Sequence, residues 1–526
     1  MFINNNFNLF NKFSVGFGQN NTSQIHNGNG DKEFRQKTVY GNDFHGHLGA
    51  FTKFKTVVDE FRAQNPGGDV ILSGDDWVGA SEEKNLAIVK LMNLIKPTAV
   101  TIGNHNMDNK GSKGLSKMLD FATFKTLALN LKPKDPNNLK AYSLQDDIDA
   151  GRLADSIVVE ENGRKVGYIG LMPSDLFARL STQSQADAQD IKVLDLAETQ
   201  KALEKEVEKL EKQNVNIIKL VSHMGIDAEK AIAQNVAGID VIHGGHSHDT
   251  LDGLVPGKNL FKSPRGEWVI LTQAGKNGHS YGELDVVYDK DGKIIKAKNE
   301  LKSLENRPES LSARIMTNIM IGEPKQIGVI AKDVKSKPET VLEESPISSF
   351  LSDAYLKYSD ADLVFNNMGG VRASLPAGPV TDRAIIDLMP FFNDVHVYKL
   401  SEKDIIDALN GAVEATRKFH RTGALQVSGL RYTIGKNDKV KDVYLVKKDG
   451  TQEKLNAENP SNDKFYKAAY NTFVASGSEG LGVLKAPEKI IKKCDLNETQ
   501  MFIEYIKSFN GQPINIAEDG RIKHEA

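Results

Sequence analysis

Five apolar runs in the first half of the chain each stop at a cluster of aspartate, asparagine or histidine. They read "TVYGNDFHGH", "DVILSGDDW", "TAVTIGNHNMD", "NIIKLVSHMG" and "IDVIHGGHSHD". Short β-branched runs alternating with helical stretches specify a layered α/β domain rather than an all-β or all-α one. In open α/β sheets the loops leaving the carboxyl ends of several strands converge, and ligands bind there. The repeated polar ending therefore constrains the architecture and predicts where its chemistry lies.

The helical pieces carry a different signature. In "ETQKALEKEVEKLEKQN", Glu198 to Asn214, the residues Leu203, Val207 and Leu210 recur at helical spacing among charges, which predicts an amphipathic surface helix with a solvated charged face. The first domain is expected to close with two strand-like runs and Gly-rich turns in "WVILTQAGKNGHSYGELDVVYDKDGKI". A Lys/Glu-rich stretch follows, and a new α/β pattern starts near Ile327. The expected division is a disordered Asn/Gly-rich tail over 1–36, a catalytic domain over 37–300, a linker helix over 301–325 and a second α/β domain over 326–526.

A chain of 526 residues is too long for one ordinary core, in keeping with two domains. With 39% hydrophobic residues, 26% charged residues and a formal net charge of -3, it is an ordinary globular composition with no basic footprint for nucleic acid. The single cysteine, Cys494, excludes internal disulfides and thiolate metal clusters. No apolar run reaches the ~20 residues that span a bilayer, and no basic and apolar leader is readable, which points to the cytoplasm.

The strand ends offer Asp43 and His45, Asp75, Asn104, His223, and His246 with His248. Carboxylate, amide oxygen and imidazole without thiolate suit Mn, Zn, Co or Fe. Seven donors are too many for one tetrahedral ion and suit two divalent ions sharing a bridging carboxylate. Glycines before Asp75, Asn104 and His246 permit the sharp turns and close approach such a site needs. Taken singly, each histidine is more often a satisfied core or loop residue; His243 is expected in the core, and His47 and His279 as polar loop residues. Asp76 competes with Asp75, but the residue directly after the turn glycine is preferred. His105 differs in kind, because Asp108 three residues later can orient its imidazole for protonating a leaving oxygen.

In this order the motifs "NDFHGHL", "GDDW", "GNHNMD", "SHMG" and "GGHSHD" resemble those of the 5'-nucleotidases, two-domain members of the calcineurin-like metallophosphoesterases. The resemblance covers roughly residues 37–490. It implies a four-layered α/β/β/α domain with a dimetal centre and a second, substrate-binding α/β domain. Asp43, His45 and His248 would hold one ion and Asn104, His223 and His246 the other, bridged by Asp75, with His105 over the phosphate and Asp108 behind it. The usual glutamate of the third motif is Asn106 here, expected to matter little.

The second domain carries its own likeness. "VFNNMGGVRASLPAGPVT" places Asn367 and Arg372 at substrate-contacting positions, and "MPFFNDV" and "YNTFVASGSEG" place Phe391 and Phe473 on either side of a nucleobase, with Glu479 toward ribose. Without the motifs both phenylalanines would read as core residues. An arginine common in the family before "ISSFLSDAY" is replaced by Glu343 and Glu344 in "TVLEESP".

The reaction implied is hydrolysis of a phosphomonoester, foremost a nucleoside monophosphate, by a hydroxide held between the ions. Rival substrates are cyclic nucleotides and nucleotide sugars. A catalytically degenerate binding or surface protein is the alternative of another class, set against an intact donor set. The family is usually periplasmic or extracellular, in tension with the unreadable leader.

Overall fold

A computed structural model describes residues 15–16, 33–137, 142–161, 163–338, 340–419, 423–477 and 480–525. Its first domain is built on two facing sheets. One carries eight strands, in the order Val15–Gly16, Ile294–Ser303, Ser280–Tyr288, Phe34–Gly41, Asp69–Leu72, Ala99–Thr101, Thr126–Leu127 and Leu153–Ala154. The other carries six, in the order Leu260–Lys262, Trp268–Thr272, Val241–His243, Ile217–Ser222, Arg164–Leu171 and Ser156–Glu161. The strands ending in the polar motifs are parallel neighbours: Phe34–Gly41, Asp69–Leu72 and Ala99–Thr101 in one sheet, Ile217–Ser222 and Val241–His243 in the other. Parallel strands covered on both faces read as continuous apolar runs, which is why "DVIL" and "IIKLVS" are buried at every position.

Side chains from both sheets, among them Tyr40, Ile71, Val166, Ile217, Val241 and Leu284, form a core between them. Helices Leu48–Gln64, Glu82–Ile95 and Leu311–Ile321 cover the first sheet, and Leu196–Glu211 and Ile226–Asn235 the second, giving the four layers expected. In Leu196–Glu211 the residues Leu203, Val207 and Leu210 face inward, and Asp195 and Glu198 close a capping box at its start.

Two boundaries differ from the expected division. The first long strand begins at Phe34, so Phe34, Arg35 and Gln36 belong to the sheet: Phe34 is buried against Tyr288, and Gln36 donates to Glu161 at 2.7 Å. Val15–Gly16 pairs antiparallel with Lys296 and Ala297; residues 1–14 and 17–32 of the expected tail lie outside the described residues. The last strand of the domain runs on to Ser303, and a helix stands where the linker helix was expected, Leu311–Ile321, packing Ala313 into the first domain's core.

The second domain centres on a five-stranded sheet, in the order Gln426–Ser428, Leu363–Asn366, Phe465–Asn471, Asp394–Ser401 and Ile490–Asn497. Helix Pro346–Ser359 packs on one face and Glu402–Phe419 on the other, each with its own core. Among the described residues no helix is long and apolar enough to cross a membrane.

Candidate active site

The seven predicted donors come from loops at the carboxyl ends of both sheets, and five of them hold an unusual backbone. Asp43, His45, Asp75, His246 and His248 all have positive φ, between 49° and 75°. Few residues other than glycine accept this region, Asp, Asn and His best among them, and such conformations concentrate at functional sites. Gly74, at φ 83°, leads into Asp75, and a Cβ on it would meet His223 Nδ1 at 2.7 Å, so the turn also needs the space glycine leaves.

Each carboxylate divides its oxygens between support and presentation. Asp43 Oδ2 accepts the Asn42 amide at 2.7 Å and the His246 N–H at 2.9 Å, leaving Oδ1 toward the imidazoles. Asp75 Oδ1 accepts the His105 N–H at 2.8 Å, leaving Oδ2 free in the same way. Asp43 Oδ1 then lies 3.6 Å from His45 Nε2, 3.6 Å from His223 Nε2 and 3.3 Å from His248 Nε2. Asp75 Oδ2 lies 3.6 Å from His45 Nε2 and 3.1 Å from His223 Nε2, placing it between the two histidines. The His246 ring is 5.2 Å from that of His223, and His246, Asn104 and His248 line the same cavity. Asp76 is fully buried and outside these groups, its two carboxylate oxygens likewise without a hydrogen-bond partner.

The donors fit cations. Asp43 Oδ1, His45 Nε2, Asn104 Oδ1 and His223 Nε2 are all buried without a hydrogen-bond partner, an arrangement that is costly unless something positive satisfies it. Burial opposes charge on His223, yet Asp75 and Asp43 push its pKa up to about 10. The carboxylates thus draw a proton where a metal ion would supply the charge instead. Burial lowers His45 and His246 to about 4, the neutral form a metal ligand needs.

His105 and Asp108 are joined as predicted, Nδ1 to Oδ2 at 2.8 Å. Burial disfavours the imidazolium, but Asp108 and Asp75 outweigh it and hold the His105 pKa above its ordinary value. Both residues line a cavity of about 640 Å³ between the two domains.

From the second domain Asn367, Arg372, Phe391 and Phe473 reach this cavity. The Arg372 guanidinium lies 5.1 Å from the Phe391 ring, which is 5.4 Å from the ring of His105. Asn367 accepts the Asn471 amide at 3.3 Å. Glu479 lies outside the described residues. Glu344 is buried in the second domain's own fabric, accepting the backbone N–H groups of Asp519 and Arg521, and Glu343 pairs with Lys337. Neither glutamate lines the cavity, but Arg179 and Lys485, unforeseen from sequence, do.

The remaining histidines divide. His243 is buried in the core as expected, bonded to Thr272 Oγ1 at 2.9 Å, and His279 is exposed. His47 lies in the loop expected, outside the donor groups, and is buried just before helix Leu48–Gln64, where Asp387 of the second domain accepts the Leu48 N–H at 2.9 Å.

Supporting residues escaped sequence reasoning altogether. Asn277 Oδ1 lies 2.7 Å from His45 Nδ1, fixing that ring so that Nε2 faces the acids, and its Nδ2 donates to the Arg372 carbonyl at 2.7 Å. Glu229 accepts from Ser222 and Gln273 at 2.9 Å and from the Gly245 N–H at 3.2 Å, anchoring the turn before His246. Asn106, expected to matter little, accepts from Gly103 N at 2.8 Å and donates to the Trp77 carbonyl at 3.2 Å, tying two motif loops together.

Two sheets presenting carboxylates, an amide and imidazoles from their strand ends define a calcineurin-like phosphoesterase; the model of that family matches residues 39–250, and the 5'-nucleotidase C-terminal domain matches residues 326–486. The chain belongs to the 5'-nucleotidase family and carries the fold of a phosphoester hydrolase. The structure of a 5'-nucleotidase precursor from Thermus thermophilus is similar, with a TM-score of 0.73, 26% identity, and 93% of this chain and 99% of that one covered. A probable 5'-nucleotidase of Treponema pallidum is 24% identical over 86% of this chain and 88% of its own length. The trifunctional nucleotide phosphoesterase protein YfkN of Bacillus subtilis is 26% identical over 92% of this chain, which spans only 34% of that longer protein.

Proposed function

We propose that the chain hydrolyses phosphomonoesters, foremost nucleoside 5'-monophosphates, with two divalent cations of the Mn, Zn, Co or Fe class. Asp43, His45 and His248 would hold one and Asn104, His223 and His246 the other, with Asp75 between them. The cations, when bound, activate water and neutralise charge on the phosphoryl group. His105 gives a proton to the departing ribose oxygen. Its Nδ1–H is held by Asp108, which leaves Nε2 to the cavity. Arg372 recognises phosphoryl oxygens, and its forked donors suit an anion at the domain interface. Phe391 and Phe473 offer two aromatic faces for the base, each worth ~1 to 3 kcal/mol of stacking and tolerant of base identity. Asn367, which lines the same cavity, is assigned to the substrate, and Glu479, outside the described residues, is assigned to it from its motif alone.

The observation that carries this reading is the convergence of buried, unpartnered oxygen and nitrogen donors around Asp43 and Asp75. Elemental analysis of the purified protein with a Mn-supplemented panel of nucleoside monophosphates, cyclic nucleotides and nucleotide sugars tests it. Bound metal with phosphate release foremost from monophosphates is expected. Metal-free protein inactive on every substrate overturns it in favour of a degenerate binding protein.

A further inference from the structure

We infer that docking of the second domain sets the general acid, through the amide of Gly79. Asp108 Oδ2 accepts two hydrogen bonds, from His105 Nδ1 at 2.8 Å and from the Gly79 N–H at 3.0 Å. The second fixes the carboxylate that orients the imidazole. Gly79 itself is pressed against the Phe391 loop of the second domain: a Cβ there would fall 2.4 Å from Phe391 Cα and 2.6 Å from its carbonyl oxygen. The next amide, Ala80 N–H, donates to that carbonyl at 2.7 Å, and Asn85 holds the Gly79 carbonyl at 3.0 Å. The residue that aims Asp108 is thus the one on which the other domain rests.

Two side chains fasten the same contact; neither hydrogen-bonds to the His105–Asp108 pair, although the Asp108 charge acts on Lys84 at longer range. Lys84, fully buried in helix Glu82–Ile95, donates Nζ to the Pro390 carbonyl at 3.2 Å. Asp387 accepts the Leu48 and Gly49 N–H groups at 2.9 and 3.3 Å, at the start of helix Leu48–Gln64. With both fastened, the loop is seated, Gly79 is immobile and His105 is aligned. Undocked, Asp108 loses its second donor and the imidazole its fixed direction. Lys84, Asp387 and Gly79 are accordingly positioning residues, acting through Asp108. This rests on His105 being the proton donor proposed above.

The test uses the Mn-loaded full chain and aryl phosphates running from phenyl through p-nitrophenyl to dinitrophenyl phosphate, which carry no base and differ in how much their leaving oxygen needs a proton. Since general acid catalysis is worth roughly 10²- to 10⁴-fold, partial misalignment in Lys84→Met and Asp387→Ala is expected to cost about tenfold or more in kcat on phenyl phosphate and at most about twofold on dinitrophenyl phosphate. Gly79→Ala, which wedges the loop away, should show the same slope. His105→Ala is the reference. If it steepens the dependence on leaving group while the three docking variants lose activity uniformly or not at all, the inference is overturned and the acid assignment stands. If His105→Ala itself leaves the slope of wild type unchanged, the assignment of the acid fails first.

Discussion

His105 Nδ1 lies 2.8 Å from Asp108 Oδ2, and the carboxylate is in turn held by a backbone amide. Replacing His105 with alanine is expected to lower kcat on nucleoside monophosphates by about 10²- to 10⁴-fold while metal content is retained, because the ring is assigned to proton transfer and not to the cations. Asp108→Asn should lose less, and chiefly in kcat. Steady-state kinetics beside elemental analysis decides both; unchanged turnover in His105→Ala removes it from the reaction.

Asp75 faces His45 and His223 with one oxygen, so its loss should be felt by both cations. Asp75→Ala is expected to retain less than one bound ion where wild type retains two, and dialysis against a chelator should abolish wild-type activity until Mn is restored. Stoichiometry by elemental analysis checks this. Two ions in Asp75→Ala would contradict its bridging place.

Glu498 joins the two loops that carry the aromatic rings. Its carboxylate accepts Asn393 N–H at 3.1 Å and Asn393 Nδ2 at 2.9 Å beside Phe391, and Asn471 Nδ2 at 2.8 Å, where Asn471 caps the short helix bearing Phe473. Phe473→Ala should raise KM for nucleotides by roughly tenfold or more, from ~1 to 3 kcal/mol of lost stacking, and leave p-nitrophenyl phosphate nearly unaffected. Glu498→Ala should shift the same ratio and lower Tm as well. Equal losses on both substrates would argue that neither ring contacts a base.

Glu161 predicts a pH dependence of stability away from the site. Burial, reinforced by Asp69, raises its pKa from 4.5 to about 8. A carboxyl group whose folded pKa is raised contributes stability that is complete below 4.5 and is lost as pH rises through about 8. Glu161→Gln, neutral throughout, should therefore show a shallower fall in Tm across that window than wild type. Parallel melting curves at each pH would place the coupling elsewhere.

The donors were legible because each motif ends an apolar run, and strand polarity alone sends those ends to one edge. The layer order followed from the same alternation. What remained hidden depends on contacts between positions remote in the chain. Asn277 reaches His45 across more than two hundred residues, and Glu498 reaches Asn393 across more than a hundred; an isolated Asn or Glu gives no hint of such a partner. Phe34 was hidden by the Asn/Gly bias preceding it, although it begins the strand's alternation of inward and outward residues.

The left-handed backbone at Asp43, His45, Asp75, His246 and His248 has a bearing on how this centre can decay or be transplanted. Few side chains tolerate those angles, so neutral drift at these five positions is channelled toward asparagine and glycine, and a silenced descendant would keep the bends after losing its ions. Grafting the same letters onto straighter loops would reproduce the spelling without the grip.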